Sequence, residues 1–182
     1  MSGAPLRIAV FGPESTGKTT LAQTLAAHFG EPWSQEFVRA YWDSHDGKVG
    51  PADLDAIARG QIANEEAAAQ AARRVMFCDT ELLTCVLYDD LLFPGACPEW
   101  VRAEADKRAR GFALYLLCGT DLPFEPDPQR CFATPEEREM CRQLWRDTLV
   151  KRGLPFVEIN GTGEERAAKA ITAVDELIRT RS

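Results

Sequence analysis

The stretch that decides the fold reads Gly12-Pro13-Glu14-Ser15-Thr16-Gly17-Lys18-Thr19. It satisfies the pattern G-x-x-x-x-G-K-[ST], whose glycines allow backbone N–H groups to surround the phosphates of a nucleotide. In this pattern the lysine reaches the terminal phosphates, and the hydroxyl that follows it holds Mg²⁺. The stretch therefore predicts a site for ATP and Mg²⁺, and we include Thr20, which directly follows the motif.

The sequence on either side of this loop supplies the context that such a site requires. Leu6 to Phe11 is a short, mostly apolar run, which predicts a buried strand leading into the loop. From Lys18 the chain is expected to be helical, because apolar residues recur at every fourth position from Leu21 to Phe29. Gly30 then supplies a signal for the end of this helix.

Strands and helices alternate along the rest of the chain. We expect four further strands at residues 33–37, 75–79, 112–118 and 155–159. Helices are expected at residues 38–42, 53–73, 80–88 and 98–110, and at two capping boxes that begin at Thr134 and Thr162. This alternation predicts a single α/β domain over residues 1–182, with a three-layer P-loop kinase-like fold and a five-stranded parallel sheet. Ligands of such a sheet bind at the carboxyl ends of its strands.

A proline-rich loop is expected between the fourth strand and the helix that begins at Thr134. Residues 119–133 contain Pro123, Pro126 and Pro128, which exclude a regular helix. Because the loop lies on the ligand side of the sheet, Arg130 is placed to cover a phosphate during its transfer. We therefore predict a lid at about residues 119–138, although an exposed loop arginine remains the alternative for Arg130.

Composition bounds the kind of partner. The 182 residues are 45% apolar and 27% charged, as in a soluble globular protein, and no segment has the apolar length of a membrane span. A net charge of −7 disfavours nucleic acid and favours small-molecule partners. The N-terminus lacks the pattern of a secretory signal, and the six cysteines lack metal-ligand spacing. We expect a cytoplasmic protein with no structural zinc.

Two carboxylates are expected at the ligand edge of the sheet. Asp79 ends an apolar strand, where it can hold the water shell of Mg²⁺ or orient a substrate hydroxyl, and its alternative role is to cap the next helix. Glu81, two residues on, is a weaker candidate. Glu36 closes the second predicted strand, where it can accept a proton or bind a ribose, and its alternative is a solvated loop acid.

The residues after Glu36 suggest a pocket for the acceptor. Arg39 follows within one helical turn, and Tyr41 with Trp42 offers flat rings that can stack on a substrate ring. Aromatic residues at such a place are at least as often part of the core, so both interpretations stay open.

Several of these segments together resemble the ribosylnicotinamide kinase domain of the bifunctional NadR-type NAD-biosynthesis proteins, within the wider group of AAA-type ATPase-like P-loop kinases. The resemblance rests on residues 12–21, Glu36 to Arg39, Phe77 to Glu81 and Asp127 to Arg130, and runs over nearly the whole chain. It implies that Lys18 and Thr19 bind phosphate and Mg²⁺ and that Asp79 binds the metal or the substrate hydroxyl. It further implies an acceptor pocket at Glu36 and Arg39 and a lid at Arg130.

The resemblance implies a kinase that phosphorylates the 5′-hydroxyl of nicotinamide riboside with ATP. The chain has no room for the adenylyltransferase and DNA-binding regions of the bifunctional proteins, so we expect a stand-alone kinase, or a relative whose acceptor has changed to another nucleoside or nucleotide. A non-kinase ATPase or nucleotide-dependent switch is the other alternative. Against a GTPase, the chain lacks the guanine motif N-K-x-D, and Asp79 is not followed by the glycine expected there.

Overall fold

The computed structural model describes residues 4–181 and contains a five-stranded parallel sheet in the order β2-β3-β1-β4-β5. The strands are β1 (Leu6–Phe11), β2 (Trp33–Ser34), β3 (Val75–Asp79), β4 (Phe112–Cys118) and β5 (Phe156–Ile159). The helices are α1 (Lys18–Phe29), α2 (Phe37–Ser44), α3 (Leu54–Ala71), α4 (Leu82–Leu92), α5 (Glu99–Ala109), α6 (Pro135–Arg152) and α7 (Gly163–Arg181), and a 3₁₀ turn at Pro51–Asp53 precedes α3. The expected α/β class with a parallel five-stranded sheet is confirmed.

The sheet has a hydrophobic core on each face, because successive side chains of a strand point to opposite sides. In β1, Ala9 and Phe11 pack with residues of α3, α4, α5 and α6, whereas Ile8 and Val10 pack with residues of α1 and α7. All four are completely buried. This two-sided burial explains why the central strands are continuously apolar, and it gives the three layers that the sequence predicts.

The second strand is shorter than the sequence predicts. Only Trp33 and Ser34 pair with β3, opposite Phe77 and Cys78. The chain then leaves this edge strand, and Glu36 becomes the N-cap of α2. Glu36 therefore does not close a strand, although it still follows one at the same edge of the sheet.

The expected start of α4 at Thr80 is wrong, and so is the alternative that Asp79 caps it. Thr80 has a left-handed backbone with φ of 65°, which cannot continue directly into a right-handed helix. The helix begins at Leu82, and Glu81 is its N-cap, accepting a hydrogen bond from the backbone N–H of Leu83 at 2.8 Å. Glu81 is completely buried in this structural role, which leaves Asp79 available to the site.

No helix among residues 4–181 has both the length and the apolar character needed to cross a lipid bilayer.

The capping box predicted at Thr134 is present and fixes the first turn of α6. The Thr134 side chain accepts a hydrogen bond from the N–H of Glu137, and the Glu137 carboxylate accepts one from the N–H of Thr134. This box defines where the loop after β4 ends, because it satisfies backbone donors that the helix itself cannot.

We predict that Thr134→Ala lowers the free energy of unfolding by about 1 kcal/mol, because it leaves an N–H of the first turn without its acceptor. Urea denaturation followed by circular dichroism measures the change. Thr172→Ala, at an exposed position within α7, is the matched control and should leave stability unchanged or slightly raised, since alanine favours a helix interior. Equal losses in both variants would contradict the capping role.

Candidate active site

The loop between β1 and α1 packs against the carboxyl end of β4, and two of its positions require glycine. Gly12 has φ of 145°, and a Cβ there would lie 3.0 Å from the carbonyl oxygen of Cys118. Gly17 has φ of 73°, and a Cβ would lie 2.7 Å from Leu122. Both positions combine a left-handed backbone with close contact, so a side chain would displace the loop.

Within the loop, Pro13 supplies one carbonyl oxygen to two side chains. It accepts hydrogen bonds from the Thr16 hydroxyl at 2.7 Å and from Lys18 Nζ at 2.8 Å. The lysine therefore lies folded against its own loop, and its charge is held next to the space where phosphates are expected. Thr20, on the first turn of α1, lines the same space.

Thr19 and Asp79 meet at the centre of the site. The Thr19 hydroxyl donates a hydrogen bond of 2.5 Å to Oδ2 of Asp79, and Asp79 is only 3% exposed. Its second oxygen, Oδ1, is buried and has no hydrogen-bond partner among the described residues. Burial raises the pKa of Asp79, while Lys18, the Thr19 hydrogen bond and Arg39 act in the opposite direction.

Glu36 faces the same space from the start of α2. It is half-buried, and this enclosure raises the pKa of its carboxyl group. Lys18 lowers the pKa, Asp79 raises it further, and smaller influences come from Arg39 and Glu14. Two carboxylates and one lysine thus share a poorly solvated site, an arrangement that can place an acceptor hydroxyl beside a proton acceptor.

A single cavity of about 630 Å³ connects these groups. Its lining includes the loop from Glu14 to Thr20. Glu36, Arg39 and Trp42 contribute from α2 and its N-cap, and Asp79 contributes from the end of β3. The loop after β4 closes one side through residues between Leu122 and Cys131. The volume is in the range of small-molecule sites, and the lining combines the phosphate-binding loop with aromatic and apolar side chains.

The structure separates the two aromatic residues expected in the acceptor pocket. Trp42 lines the cavity, but Tyr41 is not part of its lining. The Tyr41 hydroxyl instead donates a hydrogen bond to Asp53 at 2.8 Å, and its ring stacks on His45 with centroids 3.8 Å apart. Adjacent helical residues point about 100° apart, and here the ring of Tyr41 is turned towards Asp53 and His45. The expectation that Tyr41 binds substrate is not supported.

The loop after β4 lies against the phosphate loop through several hydrogen bonds. Oε1 of Glu14 accepts from the backbone N–H groups of Cys131, at 2.7 Å, and Phe132, at 2.5 Å. The Ser15 hydroxyl accepts from the N–H of Glu125 at 2.9 Å and from the Arg130 guanidinium at 3.4 Å. Arg130 is therefore brought next to the phosphate loop, as its position in the sequence suggests.

The same loop also contacts α2, which lines another part of the cavity. Arg39 pairs with Asp127 at 3.1 Å, and the Gln129 amide donates a hydrogen bond to Asp43 at 3.3 Å. Residues 119–134 thus connect α2 to the phosphate loop. A displacement of α2 or of the phosphate loop would therefore strain the hydrogen bonds of this segment.

Two buried arginines were missed by sequence reasoning. Arg138 on α6 donates to the carbonyl oxygens of Ser15 and Leu122, at 3.3 and 2.8 Å. Arg166 on α7 donates to those of Thr16, at 2.6 Å, and Gly119, at 3.2 Å. Each arginine thus connects the loop between β1 and α1 to the loop after β4. An arginine near the start of an amphipathic helix was the only signal in the sequence, and it does not distinguish this role from an exposed charge.

Lining residues on α3 and α4 were also not predicted from the sequence. Gln61 contributes from α3, whereas Cys85, Tyr88 and Asp89 contribute from one face of α4. Burial raises the pKa of Asp89 to about 6. Their spacing on α4 is helical, but apolar neighbours made this face indistinguishable from core.

Comparison with known proteins places this geometry in context. A family model described as an AAA domain matches residues 7–166. The trifunctional NAD biosynthesis/regulator protein NadR of Salmonella typhimurium is 27% identical over 180 residues, which cover 94% of this chain and 42% of that protein. This chain therefore spans less than half the length of that relative.

Two solved structures share the fold. A crystal structure of NadR protein in complex with NAD and AMP-PNP is 22% identical, with a TM-score of 0.72, covering 96% of this chain and 50% of that one. A crystal structure of NadR protein in complex with NR is 21% identical, with the same TM-score, covering 96% and 51%.

We predict that Glu14→Ala releases the loop after β4, because two backbone N–H groups lose their shared carboxylate acceptor. Hydrogen exchange measured by mass spectrometry should show faster exchange in peptides that contain Cys131 and Phe132. Glu136→Ala, at an exposed position in the first turn of α6, is the matched control and should not accelerate exchange there. Unchanged exchange in Glu14→Ala would contradict the role of Glu14 in anchoring the loop after β4 to the phosphate loop.

Proposed function

We propose that this chain, which belongs to the family of the AAA domain, is an ATP-dependent kinase that phosphorylates the 5′-hydroxyl of nicotinamide riboside. The observation that supports it most is one continuous cavity lined both by the phosphate loop and by a carboxylate and an aromatic ring, Glu36 and Trp42. Such a cavity has room for a nucleotide's phosphates and for a second molecule whose hydroxyl receives the phosphoryl group. The NadR relatives, one of them solved with NR, support the choice of acceptor.

In this proposal the loop from Gly12 to Thr20 binds the phosphates of ATP. Lys18 exchanges the carbonyl oxygen of Pro13 for phosphate oxygens, a change that replaces a neutral acceptor by a charged one. Arg130, held beside Ser15, adds positive charge from the other side as the lid at residues 119–138 closes. Kinases of this kind act mainly by positioning the phosphoryl group and stabilising its charge.

The residues present fit Mg²⁺. One buried oxygen of Asp79 has no hydrogen-bond partner within residues 4–181, and the hydroxyl of Thr19 lies against the other. Magnesium prefers oxygen ligands and is commonly held by one or two carboxylates together with substrate phosphates. When bound, the ion would neutralise charge on the phosphate oxygens, and Thr19 and Asp79 are the residues that would hold it.

Glu36 is proposed to act on the acceptor. Its raised pKa makes it a better proton acceptor than an ordinary carboxylate, provided that it is ionised. Arg39 and Trp42 would complete the pocket, with the tryptophan ring offered to the positively charged nicotinamide ring. Asp79 is the second candidate for orienting the hydroxyl, since it lies at the same site.

The remaining properties proposed are those of a small-molecule enzyme. A net charge of −7 supports neither nucleic acid nor an anionic membrane surface as partner. We propose a single kinase-like domain that acts in the cytoplasm.

The acceptor assignment predicts a rank order of substrates. With MgATP, nicotinamide riboside should be phosphorylated with a kcat/KM at least about tenfold above those of uridine, cytidine and thymidine, because only its ring is cationic. Glu36→Gln should lower kcat/KM on every acceptor by about 10²-fold or more. Coupled release of ADP, with the product identified by chromatography, measures both effects.

Lys18→Ala serves as the control for background ATP hydrolysis in this assay. Activity on another nucleoside without activity on nicotinamide riboside would contradict the acceptor and keep the kinase. Release of ADP that no acceptor stimulates would favour an ATPase instead.

A further inference from the structure

Glu36 lies where the chain is weakly anchored. Strand β2 ends two residues earlier, at Ser34, and α2, which begins at the next residue, has no fully buried side chain. Neither element therefore fixes the direction in which the Glu36 side chain points. A carboxylate that must meet a hydroxyl needs its backbone held by something else, because small displacements of a reacting group are costly.

Helix α3 holds the backbone on both sides of Glu36. The amide of Asn64 donates a hydrogen bond to the carbonyl oxygen of Gln35 at 3.1 Å. The N–H of Phe37 donates one to the side-chain oxygen of Gln61 at 3.0 Å. These are the two peptide groups that flank the Cα of Glu36, and Gln61 and Asn64 lie one helical turn apart. Fixing both peptide groups fixes the direction of the bond from Cα to Cβ.

A glycine lets α3 approach this segment closely. A Cβ at Gly60 would lie 2.2 to 2.4 Å from three atoms of the Phe37 ring, far inside contact distance. The Phe37 ring therefore packs directly on the backbone of α3, next to the residue that accepts its N–H. This contact brings the start of α2 within hydrogen-bond reach of Gln61.

The orientation of the Gln61 amide is itself set by a buried ion pair. Its nitrogen donates to Oε1 of Glu65 at 3.3 Å, and the other oxygen of Glu65 pairs with Arg108 at 2.9 Å. An ionised carboxylate only accepts hydrogen bonds, so the amide nitrogen must face Glu65 and the amide oxygen must face Phe37. Both Gln61 and Glu65 are almost completely buried, so few other hydrogen-bond partners are within their reach.

We infer that Gln61 and Asn64 are positioning residues for phosphoryl transfer, which act by holding Glu36 in line with the acceptor hydroxyl. The inference rests on the proposed function only in that Glu36 acts on the acceptor. Gln61 lines the cavity as well, so the test must separate an effect through Glu36 from direct contact with substrate.

The test is a double-mutant cycle on phosphoryl transfer. Gln61→Met and Asn64→Ala are each made in the wild type and in Glu36→Gln, and kcat and KM are measured for both substrates. In the wild type, kcat should fall about tenfold for Gln61→Met and less for Asn64→Ala, with the KM for MgATP unchanged within about twofold. In the Glu36→Gln background both should have almost no further effect, because the group they position is absent.

Gln70→Met, at an exposed position of the same helix, is the matched control and should leave kcat unchanged. Equal losses of kcat in both backgrounds would overturn the inference, since they would indicate direct substrate contact or general damage. Wild-type kcat in both variants would overturn it as well. Asn64 is only partly buried, so Asn64→Ala carries the test if thermal unfolding shows that Gln61→Met does not fold.

A second measurement does not depend on activity. Hydrogen exchange at the Phe37 amide of the substrate-free protein should accelerate about tenfold or more in Gln61→Met and stay unchanged in Gln70→Met, because only the former removes the acceptor. Unchanged exchange at Phe37 would overturn the inference that Gln61 holds the backbone next to Glu36. Absence of nicotinamide riboside phosphorylation by the wild type would contradict the proposed acceptor, while the exchange result would still decide whether α3 holds Glu36.

Discussion

The hydrogen bond between Thr19 and Asp79 is the contact on which the rest of the site depends. It joins the first turn of α1 to the last residue of β3, at the edge where the sheet opens. Its existence follows from the parallel register that places Val10 of β1 beside Asp79. A shift of one residue would turn Asp79 to the opposite face of the sheet, so the apolar packing of the central strands also determines the chemistry at their ends.

The site concentrates charge in a place where water is scarce. Asp79 and Glu36 both have raised pKa values because of burial, and Lys18 is the cation that most offsets this effect for each of them. A buried carboxylate oxygen such as Oδ1 of Asp79, which has no partner among the described residues, is costly for a folded protein and is typical of a functional site. The two loops are held around it by Glu14, Arg138 and Arg166, which bind backbone groups. These contacts thus stabilise a site in which the carboxylates of Asp79 and Glu36 repel each other.

Sequence alone predicted the parts that local patterns determine. The bounds of β1, β3 and β4 were predicted to the residue, because each is a continuous apolar run with clear signals at its ends. The length of β2 was overestimated because pairing with β3, and not local composition, ends it after Ser34. The orientation of the Tyr41 side chain depends on how α2 packs against the rest of the domain, and the local pattern of this short helix does not predict that packing. Gln61 and Asn64 could not be found from local patterns, since they meet the segment around Glu36 across 24 and 29 residues.

The most direct test of the account is the dependence of phosphoryl transfer on Mg²⁺ in Asp79→Asn. The substitution keeps the shape of the side chain and removes the charge, so the variant should need about tenfold more Mg²⁺ for half-maximal rate and have a kcat about 10²-fold lower. Asp90→Asn, on the exposed side of α4, is the control and should match the wild type. A magnesium titration of Asp79→Asn that superimposes on that of the wild type would contradict the claim that the end of β3 holds the metal.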